Sequence, residues 1–267
     1  MKLRQNLTEI IPDNLLSLLP DGYEIIGDIA VITIPDQLLP YGNEISAEII
    51  KNRKHIKTVL RKTSKRSDGR RVATYEPIIG TDTSTIHHEF GYRYHVDLTA
   101  AFFTTRLSGE RQRISSLITP DETVLIPFAG VGPFVIPVAA RCSRTVAIEL
   151  NPDACHLLHK NTRLNRVDNR VGIIRGDAMR ADTMIATGFD RAIIPTPYGL
   201  DKALALISDL VKPGGWIHFY TFKNKSEAGD LINLYSLSGY EVFRVHRCGN
   251  VAPAVSRWVY DLRKKTD

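Results

Sequence analysis

The stretch Thr123-Val-Leu-Ile-Pro-Phe-Ala-Gly-Val-Gly-Pro-Phe-Val-Ile136 constrains this chain more than any other. A short apolar run breaks into Ala129-Gly130-Val131-Gly132 and resumes as Pro133-Phe134-Val135-Ile136. A buried parallel strand, a tight glycine turn and a new helix have this form. Glycine lets the backbone come close to a ligand, and a helix N-terminus offers unpaired N–H groups to it. The next apolar stretch, Thr145-Val-Ala-Ile148, ends on Glu149, 19 residues after Gly130. A carboxylate at that distance can accept hydrogen bonds from both hydroxyls of a ribose. The spacing predicts a bound nucleoside cofactor, against the alternative of a purely structural turn.

From about residue 96 onward, strand patterns alternate with helical ones. This predicts an α/β domain with a doubly wound, mostly parallel, Rossmann-like sheet. Strands are expected at 123–128, 145–149, 171–175, 190–194 and 216–220, with helices at Val135–Arg141, Pro152–Leu164 and Leu200–Val211. Pro213-Gly214-Gly215 reads as a turn, and Tyr240–His246 and Ser256–Leu262 as two further strands. Residues 1–95 read as a small α+β domain. It opens with a helical arm over residues 1–22 and a strand over Gly27–Ile34. An amphipathic helix at 43–57 and a strand at Thr58–Arg61 follow, then a strand pair at 85–89 and 92–97 turning at Phe90-Gly91. His87, His88 and His95 are expected to face solvent on these strands, and no metal site is expected.

The 267 residues can hold one large domain or two modest ones, and the 43% hydrophobic content can supply a core. Cys142, Cys155 and Cys248 are odd in number and lack metal-type spacing, which suits a reduced intracellular protein. No apolar run approaches a membrane span, and the N-terminus lacks the apolar core of a signal peptide. A cytoplasmic protein with no membrane partner, and a monomer, is the expectation. The net charge of +6 is uneven: Lys51–Arg71 holds ten Lys or Arg and a single acid, Asp68. Lys62–Arg71 reads as an exposed basic loop. Such a run is either a merely solvated face or a nucleic-acid contact. The second is favoured, with Lys54, Lys57, Arg61, Lys62, Lys65, Arg66, Arg70 and Arg71 as the RNA-binding candidates.

Two further segments bear on chemistry. Asp177 follows the third strand in Arg175-Gly-Asp-Ala178, where an acid or the following amide can read an adenine edge. The fourth strand ends in Phe189-Asp-Arg-Ala-Ile-Ile-Pro-Thr-Pro-Tyr198, so Pro195, Thr196, Pro197 and Tyr198 should line the reaction site. Prolines fix the backbone there and leave carbonyls as acceptors. The alternative is a rigid surface loop.

These elements, in this order, resemble a class I methyltransferase that uses S-adenosylmethionine. Phe-Ala-Gly-Val-Gly-Pro-Phe at 128–134, Ala-Ile-Glu-Leu-Asn-Pro at 147–152 and Asn161-Thr-Arg-Leu-Asn165 are similar to the archaeal and eukaryotic tRNA guanine-37 N1-methyltransferase family. Thr-Arg-Leu-Ser-Gly-Glu-Arg at 105–111 and Gly-Gly-Trp-Ile-His-Phe-Tyr at 214–220 carry the same likeness. It extends to Gly27-Asp-Ile-Ala-Val-Ile32, Thr58-Val-Leu-Arg61 and Trp258-Val-Tyr-Asp-Leu262, and so spans nearly the whole chain. The family is close kin to the aminocarboxypropyl transferases of the wybutosine pathway. An additional N-terminal domain that some members use on the tRNA elbow is not expected within these 267 residues.

The resemblance implies methyl transfer from S-adenosylmethionine to N1 of guanine 37, beside the tRNA anticodon. Gly130, Val131 and Gly132 would cradle the cofactor, Glu149 would meet its ribose and Asp177 with Ala178 its adenine, with Phe128 and Leu150 also among the cofactor-binding positions. N1 of guanine is protonated at neutral pH, so charge builds on O6 as the proton leaves, where an arginine would stabilise it. Arg106 matches the family's arginine, and with Pro195, Thr196 and Pro197 forms the implied catalytic set. Retention of Arg106 and Gly132-Pro133-Phe134 favours methyl over aminocarboxypropyl transfer. Glu110 is a candidate base by its nearness to Arg106, with helix capping or a pair with Arg113 as the stronger alternative. Arg111 and Arg113 fit phosphate contacts and structural roles equally. Two positions depart from the family. Ile126-Pro127 stands where an aspartate usually organises the methionine end of the cofactor. Pro195-Thr196-Pro197 stands for Asn-Leu-Pro, which loses a side chain for the target base that Thr196 or Tyr198 would have to replace. These departures keep open a redirected paralogue that acts on another RNA or on protein.

Overall fold

The computed structural model describes residues 3–63, 74–252 and 254–266. The chain divides into two compact units, Met1–Thr105 and Arg106–Asp267.

The first unit begins with a 3-10 turn at Leu3–Asn6 and one helical turn, α1 (Asp13–Leu16). There follow β1 (Glu24–Ile26), β2 (Ile29–Ile32), α2 (Gly42–Asn52), β3 (Thr58–Lys62) and β4 (Tyr75–Ile79). The four strands form one sheet in the order β1-β2-β3-β4, with only β2 and β3 parallel. Leu7, Ile11 and Leu19 from the arm close its core against Ile32, Ile45, Ile49 and Val59. The strand expected over Gly27–Ile34 is present but shorter, as β2, and it forms a hairpin with β1, which the sequence did not signal. Gly27 takes φ +57° between β1 and β2, and a Cβ there would run into Thr85. Helix α2 stops at Asn52, well short of residue 57.

A separate two-stranded ribbon, β5 (Ser84–Glu89) and β6 (Tyr92–Asp97), turns at Phe90 and Gly91, which both have positive φ. His87 does not face solvent as expected. It accepts the Gly27 N–H at 3.2 Å, lies 3.5 Å from Glu89 and packs edge-on against Phe103. Residues 98–105 stay with this unit because Leu98, Ala101 and Phe103 are buried, and Glu24 accepts from Thr104 and Thr105.

The second unit contains α3 (Ser108–Ser116), β7 (Thr123–Pro127), α4 (Val135–Ala139), β8 (Arg144–Glu149), α5 (Pro152–Leu164) and β9 (Val171–Arg175). Then come β10 (Phe189–Ile194), α6 (Ala203–Ser208), β11 (Val211–Lys223), α7 (Lys225–Leu237), β12 (Tyr240–Ala252) and β13 (Val255–Lys264). They build one seven-stranded sheet, β12-β13-β11-β10-β7-β8-β9. The five strands from β11 to β9 are parallel, and β13 and β12 join antiparallel. Val124, Leu125 and Ile126 are fully buried because apolar layers cover both faces of β7. Pro213-Gly214-Gly215 is a bulge inside β11 and not a turn: the register with β10 jumps from Phe189↔Val211 to Arg191↔Trp216. Chain order runs from β7 outward to β9 and then returns to β10 on the other flank. The glycine turn after β7 thus lies at the switch point, where ligands bind in such sheets.

Candidate active site

Helix α5 opens on Asn151, whose side chain caps the Asp153 N–H at 3.0 Å, with Pro152 at the first helical position. That start sets β8's last residue, Glu149, opposite the glycine turn. One carboxylate oxygen of Glu149 accepts the Gly130 N–H at 2.7 Å, and the other accepts the Asn151 N–H at 2.9 Å. Its carbonyl accepts the Gly176 N–H at 3.0 Å, linking β8 to the end of β9. The loop is secured from beneath by buried Asn161, which donates to the Val131 carbonyl at 2.9 Å. Phe128, Gly130 and Gly132 all take positive φ. For Phe128 that is a strained setting of the kind found at ligand sites.

This arrangement fits a nucleoside. Each Glu149 oxygen has spent one acceptor position on a backbone amide, and the carboxylate is fixed in orientation, so further acceptor capacity can meet two neighbouring hydroxyls. A Cβ on Gly130 would meet nothing within 4 Å, so the turn is open on that side, whereas one on Gly132 would lie 2.5 Å from Leu158 Cδ1. Asp177 is exposed and caps the Met179 N–H at 2.9 Å, Ala178 behind it is buried, and Leu150 is 66% exposed. Ile126 is fully buried, so the position where family members place an acid belongs to the core here.

The Pro195–Pro197 segment differs from expectation. Thr196 is only 2% exposed, and its N–H and hydroxyl both turn back to the Ile194 carbonyl, at 2.8 and 3.2 Å. It therefore does not present a side chain to an acceptor base. The Pro197 carbonyl accepts the Leu200 N–H at 3.2 Å instead of standing free. Tyr198 is exposed and packs on Phe222. Arg106 is exposed in a 3-10 turn, Thr105–Leu107, just before α3.

The basic candidates separate. Arg61 is buried: it donates to the Ile34 carbonyl and pairs with Asp36 and Glu76. It is a structural cation and not an RNA contact, because its place in the interior of β3 turns it toward carboxylates on the neighbouring β4 strand and the segment after β2. Lys54 is exposed, Lys57 is largely exposed but pairs with Asp28 at 3.0 Å, and Lys62 is half-buried. Lys65, Arg66, Arg70 and Arg71, with most of the expected basic loop, lie outside the described residues.

A buried polar chain that no sequence pattern announced runs beneath the sheet's antiparallel end. Arg191 forks onto Glu122 at 2.7 and 2.8 Å and donates to His218 Nε2 at 2.7 Å. Arginine can only donate, so Nε2 is the acceptor and the His218 proton sits on Nδ1, 2.6 Å from Asp261. Burial holds His218 below its usual range, which keeps it neutral. Arg113 bridges Asp261 and Glu110, and Tyr220 donates to Glu110 at 2.7 Å. Burial would raise the Glu110 carboxyl, but hydrogen bonds from Arg113, His246 and Tyr220 overcome it and hold the group down to about 2. Arg113 is thus structural, and Glu110 is paired with it and not poised as a base. Glu110, His246 and Cys248 offer ligand atoms within 4.8 Å of one another. Both Glu110 oxygens, however, are already engaged by Arg113, Tyr220 and His246, which disfavours a metal there.

The doubly wound sheet, the glycine turn at its switch point and the clamped carboxylate define a class I methyltransferase fold. Residues 85–232 match the TRM5/TYW2 methyltransferase domain, and residues 3–83 the TYW2 N-terminal domain. The chain belongs to the TRM5/TYW2 family.

It is 36% identical to tRNA (guanine(37)-N(1))-methyltransferase Trm5b of Pyrococcus abyssi, over 79% of this chain and 63% of that protein. With tRNA(Phe) (4-demethylwyosine(37)-C(7)) aminocarboxypropyltransferase of Pyrococcus horikoshii it shares 30% identity over 98% of this chain and 96% of the other. The chain therefore spans under two thirds of the methyltransferase's length and almost all of the transferase's. Among solved structures, aTrm5 in complex with tRNALeu superimposes with a TM-score of 0.88 at 28% identity, covering 99% of this chain and 78% of that one. The P. horikoshii TYW2 structure in complex with MeSAdo gives 0.78 at 26%, covering 99% and 98%. No helix among the described residues is long and apolar enough to cross a membrane.

Proposed function

We propose that this chain is an S-adenosylmethionine-dependent tRNA methyltransferase acting on N1 of guanine 37, beside the anticodon. The observation that carries the cofactor assignment is the Glu149 carboxylate held between the Gly130 and Asn151 amides. Glu149 would receive the ribose hydroxyls, the open side of Gly130 and Val131 would take the cofactor's body, and Asp177 with Ala178 its base. When bound, the cofactor supplies an electrophilic methyl carbon on a sulfonium. Arg106 would donate to O6 as N1 loses its proton, stabilising charge where it develops. Pro195 and Pro197 would hold the backbone at the mouth of the site. The small N-terminal domain, residues 1–95, would contact RNA, with Lys54, Lys57, Lys65, Arg66, Arg70 and Arg71 supplying cations for phosphate. The tRNA complex of a structural neighbour and the MeSAdo complex of another support both ligands.

The second reading, aminocarboxypropyl transfer, is favoured by the TYW2 N-terminal match and by end-to-end similarity to the P. horikoshii transferase. Incubation with S-adenosylmethionine and either tRNA transcripts bearing G37 or A37 or tRNA bearing 4-demethylwyosine at position 37, the acceptor named for the P. horikoshii transferase, then nucleoside mass spectrometry, decides between them. The expected product is a methylguanosine formed only with G37, abolished or strongly reduced in Arg106→Ala. An aminocarboxypropyl adduct would establish the second reading. Clear cofactor binding with no modified nucleoside would overturn both.

A further inference from the structure

Beyond the last residues of β10 and β11, Tyr198 is 59% exposed, an unusual setting for a large aromatic ring beside a candidate active site. It rests on buried Phe222, with ring centroids 5.6 Å apart and planes inclined at 55°. Phe222 in turn carries the Arg257 guanidinium 4.9 Å from its centroid, and the two residues are cross-strand partners in β11 and β13. The loop that bears Tyr198 is tied down. Asp201 accepts from the Thr221 hydroxyl at 2.7 Å and from Lys223 Nζ at 2.6 Å, which anchors the loop to the end of β11. Lys223's own carbonyl accepts from the Trp258 indole at 3.2 Å. Lys202, next in the loop, is exposed. Tyr198 is therefore a rigidly mounted ring with an open surface in a locally cationic setting.

We propose that Tyr198, backed by Phe222 and Arg257, is a stacking platform for an unpaired base of the RNA substrate adjoining the acceptor nucleotide. This rests on the reading that the acceptor is a ring nitrogen of a tRNA base. A pocket encloses such a base when it leaves its stack, and the neighbouring base then loses a stacking partner. An aromatic ring replaces that partner without reading sequence, and a nearby cation favours a polyanionic ligand over a peptide. The platform also assigns Tyr198 a role different from that of the family's asparagine at the start of this loop: it holds a neighbouring base by its face and does not hydrogen-bond the target's edge.

The test pairs Tyr198→Ala with Tyr198→Phe in the full chain, using tRNA carrying 2-aminopurine on either side of position 37. Binding of the wild-type protein is expected to change the fluorescence at one of these positions. The Ala variant should lose that change and about 10- to 100-fold in kcat/KM for tRNA, while Phe restores both. The KM for S-adenosylmethionine should move far less. A fluorescence change that survives in Tyr198→Ala, or equal kcat/KM in wild type and Ala, would overturn the platform. If the wild-type protein proves inactive on tRNA yet shows a Tyr198-dependent signal, the platform stands and the proposed reaction falls.

Discussion

Glu110 shows how one residue's surroundings set its chemistry. An isolated glutamate beside an expected catalytic arginine could serve as a base, but three donors lock this one in its charged form. Its folded-state pKa lies near 2, below the ordinary value of 4.5. The pairing therefore stabilises the fold fully above about pH 4.5, and that contribution is lost as the pH falls toward 2. Asp261, lowered by the same kind of pairing against the opposing effect of burial, acts in the same direction. Glu110→Gln should accordingly lower unfolding free energy at neutral pH by on the order of 3 kcal/mol or less, and flatten its decline between pH 5 and pH 3. Urea unfolding of both proteins at several pH values checks this. Curves that stay parallel down the acid limb would contradict the assignment.

At the scale of elements, the glycine turn divides its labour between two residues. Gly130 takes φ +56° with open space beside it, whereas Gly132, at φ +93°, has the buried Leu158 side chain of α5 within 2.5 Å of a virtual Cβ. Alanine at Gly132 should thus meet both backbone strain and a packing clash, and cost about 2–4 kcal/mol of stability. Alanine at Gly130 should cost only about 1–2 kcal/mol in the fold, but place a methyl on the open face proposed for the cofactor. Thermal melts and calorimetric titration with S-adenosylmethionine separate the two effects. The larger loss of melting temperature is expected for Gly132→Ala and the larger loss of affinity per degree of melting temperature for Gly130→Ala. The reverse order would place the ligand elsewhere. Helix α7 illustrates the same local logic without a ligand. Asn224 and Glu227 form a reciprocal capping box, which accounts for a helix that begins abruptly after β11.

For the whole molecule, charge is the property that matters most to a polyanionic substrate. The Lys51–Arg71 run is strongly basic, while the rest of the chain is net negative. If that run grips phosphates, tRNA affinity should fall with salt, because the counterions released on binding gain less as the salt concentration rises. A log–log slope of about −2 to −4 is expected between 50 and 200 mM salt. Substituting Lys54 and Lys57 together by Ala should make that slope shallower, by about one to two. Arg61→Ala, by contrast, should lower stability, because it removes the buried guanidinium's bonds to the Ile34 carbonyl, Asp36 and Glu76 and leaves a cavity in β3's layer. Filter binding across a salt series, with thermal melts of each variant, distinguishes these outcomes.

Much of the second unit was legible in the sequence because its signals are local. A continuous apolar run such as Val124–Ile126, closed by a glycine turn, reads as a strand covered on both faces. Asn151-Pro152 marks a helix start, and the interval from Gly130 to Glu149 follows from one strand–helix–strand unit. The positions that escaped are those decided by which strands become neighbours. Arg113 meets Asp261, 148 residues away, only because β13 inserts antiparallel between β11 and β12. The same insertion sets Arg257 over Phe222 and supplies Asp261 to His218. Arg61 looks like part of a basic surface run, yet the interior of β3 turns it inward onto two acids. Thr196 looks like a substrate contact, yet a backbone turn after Ile194 buries it. Burial along one segment is written in that segment's own periodicity, so the sequence by itself determined the strands of the second unit, the glycine turn and the carboxylate that faces it. A charge's partner lies on another segment, and only the tertiary structure decided which side chains were paired inside and which stayed open to a ligand.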